Sequence, residues 1–334
     1  MESKIDTYFK KLEENQQFSG TVLVAKGEGI ILKESYGVTN HTYNIPNTIN
    51  SKFLIASITK SITAMAIMIL EEENKLNVHD TLDKYIPDFL NGDKITIHNL
   101  LNHSSGIWGD PNFLDIVKKS HTMDELIDRY KNKPLDFEPG DRFEYSNMGY
   151  TLLAYIIEKV SRKKYEEFIK ENIFKKLSMK DTGCYRNENI IKDMASGYEK
   201  KNNKIINSDI WDFSNFKGSG DIYSTIEDLY KWTEGLVKGK LLSEEYNTKL
   251  LEDYGLIYDN FYYGYGKIFY KKNDKIEFFY QDGGLPGFKS IYVIYPPKDL
   301  TIILLSNYSF IKTPEIVNRI EEILYKEGPL FEID

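Results

Sequence analysis

One run constrains this chain more than any other: Ala56-Ser57-Ile58-Thr59-Lys60-Ser61-Ile62-Thr63-Ala64-Met65-Ala66-Ile67-Met68-Ile69-Leu70. As a helix it is apolar on nearly every face, so it has to be buried. Any fold open to the chain must wrap its core around this helix. Yet the run opens on Ser57 and carries Lys60 one turn later. A cation in the first turn opposes the positive end of the helix dipole, and burial strips an ammonium of its hydration. The serine can be read as an N-cap, and the lysine as one that reaches water along its aliphatic stem. A capping box would put Glu or Gln where Lys60 stands, so capping explains the serine alone. A nucleophile explains both. Residues three apart share a helix face, burial and the dipole push the amine towards its neutral form, and a neutral amine can take the serine's proton.

The chain has 334 residues, enough for one large domain or two closely joined ones. Its net charge of -8, without a basic cluster beyond short Lys pairs, speaks against a nucleic-acid partner. The single Cys184 cannot form an internal disulfide. His41, His79, His98, His103 and His121 lack paired metal-ligand spacing, so neither metal nor cofactor is expected. The first residues are amphipathic and charged, without the apolar core of a signal peptide. No apolar run reaches membrane length. The chain as written therefore reads as cytoplasmic, and as outward-facing only had a leader been removed.

Residues 5–12 suggest a starting helix, and residues 19–25 and 30–36 a hairpin about Gly27 and Gly29. From residue 76 to 210 the signals are mostly helical, with candidates at 97–102, 122–131, 148–160 and 165–173. Gly218-Ser219-Gly220-Asp221 then leads into a helix over 226–236. Strands return at 262–270, 276–280, 289–295 and 300–306, with short links that favour an antiparallel meander, and a helix over 314–325 closes the chain. Strands at both ends imply one shared sheet. The expected architecture is α/β (α+β): an antiparallel sheet domain from residues 1–75 and 211–334, flanked by helices, and an inserted helical domain from 76–210, with the active site where they meet.

Two further stretches matter. Tyr145-Ser146-Asn147 precedes a helix and alone reads as an N-cap; Gln281-Asp282-Gly283-Gly284 lies between strands and alone reads as a turn. In this order the three resemble the marks of the serine β-lactamase and penicillin-binding-protein superfamily: Ser-x-x-Lys, then Tyr-x-Asn, then Lys-Thr-Gly. The Tyr-headed second mark is similar to class C β-lactamases, D-alanine carboxypeptidases and related esterases. Leu100-Leu101-Asn102-His103-Ser104-Ser105-Gly106, Glu138-Pro139-Gly140 and Tyr263-Gly264-Tyr265-Gly266 extend the likeness over nearly the whole chain. The resemblance implies that family's β-lactamase/transpeptidase-like fold and a serine hydrolase acting on an ester, D-amino-acid peptide or β-lactam. Ser57 would be acylated, Lys60 would handle its proton, and Tyr145 would share that work with a phenol pKa lowered by the lysine. Asn147, Gln281, Gly283 and Gly284 would meet the substrate, with the backbone N–H groups of Ser57 and Gly284 as oxyanion hole.

The third mark departs from the family. Its head is Gln281 instead of a cation, with Asp282 beside it, which weakens recognition of a substrate carboxylate unless Lys289 compensates. His103, in a loop-like string well away from the motifs, is expected to be structural. The rival reading is a non-catalytic or slowly deacylating penicillin sensor. An α/β-hydrolase is disfavoured because Gly-x-Ser-x-Gly does not occur. The partner is expected to be a small-molecule or peptide substrate; oligomeric state is not legible.

Overall fold

The computed structural model describes residues 1–107 and 116–325. Eight strands build its main sheet: β1 (Gly20–Lys26), β2 (Gly29–Tyr36), β3 (Asp253–Tyr258), β4 (Phe261–Gly264), β5 (Ile268–Lys272), β6 (Lys275–Leu285), β7 (Phe288–Tyr295) and β8 (Leu300–Ser306). Their order across the sheet is β3-β4-β5-β6-β7-β8-β1-β2, antiparallel at every pairing. The first two strands thus pair onto the last, with Gly20 opposite Ser306 and Lys26 opposite Leu300.

Both faces of the sheet are covered, so its central strands are apolar on both sides. Leu23, Ala25, Tyr292, Ile294, Ile303 and Leu305 point into one core; Val22, Val24, Ile291, Val293, Ile302 and Leu304 point into the other. The second core is closed by the terminal helices α1 (Glu2–Glu14) and, at the far end of the chain, Thr313–Tyr325. The first is closed by α2 (Thr59–Glu72), α3 (Asn147–Ser161) and α4 (Ile226–Val237). Helix α2 sits in the middle of this core, with every residue from Thr59 to Glu71 buried. No helix among the described residues is long and apolar enough to cross a membrane.

Three departures from the sequence reading have local causes. The run 262–270 is two strands, because the chain folds back at Tyr265-Gly266-Lys267. Gly266 has φ 72°, and a Cβ there would stand 2.7 Å from the Lys60 carbonyl oxygen, so the turn fits against α2 only as glycine. The edge strand β3 carries no clean alternation and was not anticipated. Within the helical stretch, Tyr198–Lys201 and Lys204–Asn207 form a hairpin, joined to the sheet side by the Tyr198 N–H on the Asn307 carbonyl at 2.9 Å.

Candidate active site

The chain approaches α2 through a 3₁₀ turn, Ala56–Ile58. Ala56 lies in the left-handed region at φ 48°, a conformation that costs a non-glycine residue about 1–2 kcal/mol. The turn is clamped from the sheet: Ser290 Oγ donates to the Ile55 carbonyl at 2.7 Å, and a Cβ on Gly283 would stand 2.4 Å from the same oxygen. Glycine at 283 therefore lets β6 lie directly against the turn. Ser57 makes no capping bond. Its Oγ instead accepts the Tyr145 hydroxyl at 2.7 Å and lies 3.1 Å from Lys60 Nζ.

Lys60 does not reach water; it is fully buried. Its Nζ donates to Asn147 Oδ1 at 2.7 Å and to the Ser219 carbonyl at 2.8 Å. Burial drives its pKa well down, against a smaller opposing pull from the Asp282 carboxylate. A neutral amine has two hydrogens. Both neighbours just named are oxygens that only accept, so both hydrogens are committed and the lone pair is left for the Ser57 hydroxyl. The loop that supplies the Ser219 carbonyl is held in turn by Thr63 Oγ1 on the Gly218 carbonyl (2.6 Å) and by the Gly218 N–H on Asp221 (3.1 Å).

The Tyr145-Ser146-Asn147 stretch divides its labour. Ser146 caps α3 by accepting the Gly149 N–H at 3.1 Å, as its local sequence suggests. The cap turns the residues on either side, Tyr145 and Asn147, towards Ser57 and Lys60. The expectation of a lowered Tyr145 pKa is corrected: dehydration pushes the phenol up, Asp282 adds to this, and the Ser57 hydrogen bond only partly offsets it. The lysine is itself driven neutral, so it lends the phenol little charge. His103, distant from the motifs in sequence, lies beside them in space. It is buried at 1% exposure, its ring centre lies 4.4 Å from that of Tyr145 with the planes tilted by 35°, and its Nδ1 accepts the Ser146 N–H at 3.0 Å. Its carbonyl accepts the Glu144 N–H at 2.8 Å, so His103 grips the chain on both sides of Tyr145. Burial holds its pKa well below the usual imidazole value.

A cleft of about 400 Å³ opens at Ser57, lined by Tyr145, Gln281, Asp282, Gly284 and a largely aromatic wall. Gln281 is buried, and its Nε2 donates to the Asp282 carbonyl at 3.1 Å, so its donor is engaged within the strand. Asp282 faces the cleft and pairs with Lys289 at 3.3 Å. Lys289 is thus bound to the anion beside Gln281, which stands where the family has a cation. A larger cavity of about 670 Å³ is walled by Glu166, Lys170, Cys184, Arg186 and Tyr223. It contains no activated nucleophile, since burial raises the Cys184 thiol well above its ordinary pKa.

A family model described as Beta-lactamase matches residues 5–322. The putative penicillin-binding protein PbpX of Bacillus subtilis (strain 168) is 31% identical over 330 residues, covering 97% of this chain and 78% of that protein. A penicillin binding protein from Bacillus halodurans superposes with a TM-score of 0.85 at 27% identity, over 94% of this chain and 99% of the other. The octameric penicillin-binding protein homologue from Pyrococcus abyssi gives 0.86 at 28% identity, over 99% and 79%.

Proposed function

The chain belongs to the beta-lactamase family of serine hydrolases, and on that premise we propose that it cleaves an ester or amide through an acyl-enzyme on Ser57. One observation carries this reading. The Lys60 amine has both of its neutral-form hydrogens spent on Asn147 Oδ1 and the Ser219 carbonyl, with Ser57 Oγ as its remaining polar neighbour at 3.1 Å.

Ser57 passes its proton to Lys60 as Oγ bonds to the substrate carbonyl carbon. The negative charge that develops on the carbonyl oxygen is met by the N–H groups of Ser57 and Gly284. Collapse breaks the bond to the leaving group, which takes its proton from the Tyr145 phenol. A phenol whose pKa is raised holds that proton until the leaving group becomes basic enough to claim it. Lys60, whose amine meets Ser57 Oγ as the Tyr145 hydroxyl does, returns the proton gained in the first step. Water then attacks the acyl-enzyme by the same proton path in reverse, which frees the acid and restores the Ser57 hydroxyl.

The test is intact-mass analysis after exposure to a fluorophosphonate, followed by peptide mapping. A single adduct on the peptide carrying Ser57, absent from Ser57→Ala, is expected. An adduct on Ser104 or Ser146, or undiminished labelling of the variant, would overturn the assignment.

A further inference from the structure

We propose that the cleft beside Ser57 selects substrates whose acyl group ends in an uncharged aryl or branched hydrocarbon. This rests on the reading of Ser57 as the nucleophile. The leaving group has to lie where Tyr145 and Lys60 can protonate it, which leaves the side towards β6 for the acyl chain. There the lining is Ile257 and Tyr258 from β3, Ile268 from β5 and Tyr280 from β6, facing Phe143 and Tyr263. A volume of about 400 Å³ accommodates a phenyl ring with a short linker.

Charge narrows the class further. Among the described residues lining this cleft, Asp282 is the one that carries a formal charge, and no Lys or Arg lines it. The Lys289 ammonium is already on Asp282. An acyl group ending in a carboxylate would meet that anion without a cation to receive it, whereas an uncharged ring meets other rings. At the mouth, Tyr258 stands 56% exposed on an edge strand, and an aryl group lodged there would cover it.

Three p-nitrophenyl esters share one leaving group and differ only in the acyl chain: acetate, 3-phenylpropionate and hydrogen succinate. With spontaneous hydrolysis subtracted from each rate, kcat/KM for phenylpropionate should exceed that for acetate by about 10- to 100-fold, the effect of burying one aromatic side chain. Succinate should fall below acetate. Tyr258→Ala should reduce the phenylpropionate-to-acetate ratio several-fold, while Leu256→Ala, on the same strand but outside the cleft, should leave that ratio in place. Equal values for phenylpropionate and acetate, a lead for succinate, or a ratio indifferent to Tyr258→Ala would overturn the proposal. If the folded enzyme turns over none of the three and Ser57 takes no fluorophosphonate, both this proposal and the reading of Ser57 fall. Labelling of Ser57 with equal turnover of the first two overturns the acyl preference alone.

Discussion

Among the described residues two lysines, Lys60 and Lys267, are wholly buried, and they lie on either side of one contact. Lys267 ends the turn whose Gly266 presses against the Lys60 carbonyl. Burial lowers the pKa of both, that of Lys267 from 10.5 to about 7. Burial and a depressed pKa, however, do not make a base. Lys267 Nζ donates to the carbonyls of Leu250 and Tyr265, each at 3.1 Å, and these have no proton to give. It stays a donor in either charge state. Lys60 has two such acceptors and, in addition, a hydroxyl. One neighbour able to give up a proton separates a structural amine from a reactive one.

The largest effect should divide the two residues outright. Lys60→Ala should slow acylation by about 10²- to 10⁴-fold, the range of general acid–base catalysis, while Lys267→Met stays within a few-fold of wild type. Comparable losses in two folded variants would dissolve the distinction. Acylation should also fall as pH drops through the depressed Lys60 pKa, because a protonated amine cannot accept from Ser57. That acid limb should persist in Lys267→Met.

Smaller, and sharper about what surrounds Lys60, is its coupling to Tyr145. Tyr145→Phe should cost on the order of a hundredfold, and Lys60→Ala with Tyr145→Phe much less than the product of the separate losses. Rates of acylation for the wild type, both single variants and the double variant form the cycle. Strict multiplication would mean that the phenol and the amine act independently.

The effect furthest from the chemistry concerns stability and belongs to Lys267. In the folded protein it gives up its proton near pH 7, whereas in the unfolded chain it does so near 10.5. Between those values the unfolded chain binds more protons, so stability contributed by this site rises with pH, by up to about 1.4 kcal/mol per pH unit. Below pH 7 both states are protonated and the contribution is flat. Urea titrations of wild type and Lys267→Met from pH 6 to 10 should therefore show a difference that changes across this window. A constant difference would return Lys267 to an ordinary pKa.

What the sequence disclosed follows the range of the interactions involved. Ser57 and Lys60 are three residues apart on one helix, so local periodicity exposed them; Tyr145 and Asn147 lie in a stretch that alone reads as a cap, and only the resemblance to the family singled them out. The antiparallel sheet from both chain ends followed from strand-forming runs with short links. His103, the Ser219 carbonyl and Lys267 stayed hidden, because each acquires its role from a partner distant in the chain. The pKa of Tyr145 went astray for a related reason. A neighbouring lysine can be read from a motif, but the dehydration that outweighs it depends on the packed site. The strand pair β4 and β5 merged in the sequence reading because Tyr265 and Lys267, both strand-compatible in pattern, surround a single glycine.

The sheet order has a consequence for how such a chain comes into being on a ribosome. β1 lies between β2, which follows it at once, and β8, which ends at Ser306. The Ser57 turn is held by Gly283 and Ser290. Synthesis thus delivers the serine and lysine early and the hairpin that clamps them late. Until β7 and β8 have emerged, α2 is an apolar helix without the sheet strands that cover it. Pairings of such sequence separation are slow to form and leave apolar surface open meanwhile. A product that stops short of Gly283 would carry Ser57, Lys60 and Tyr145 without the hairpin that clamps the Ser57 turn.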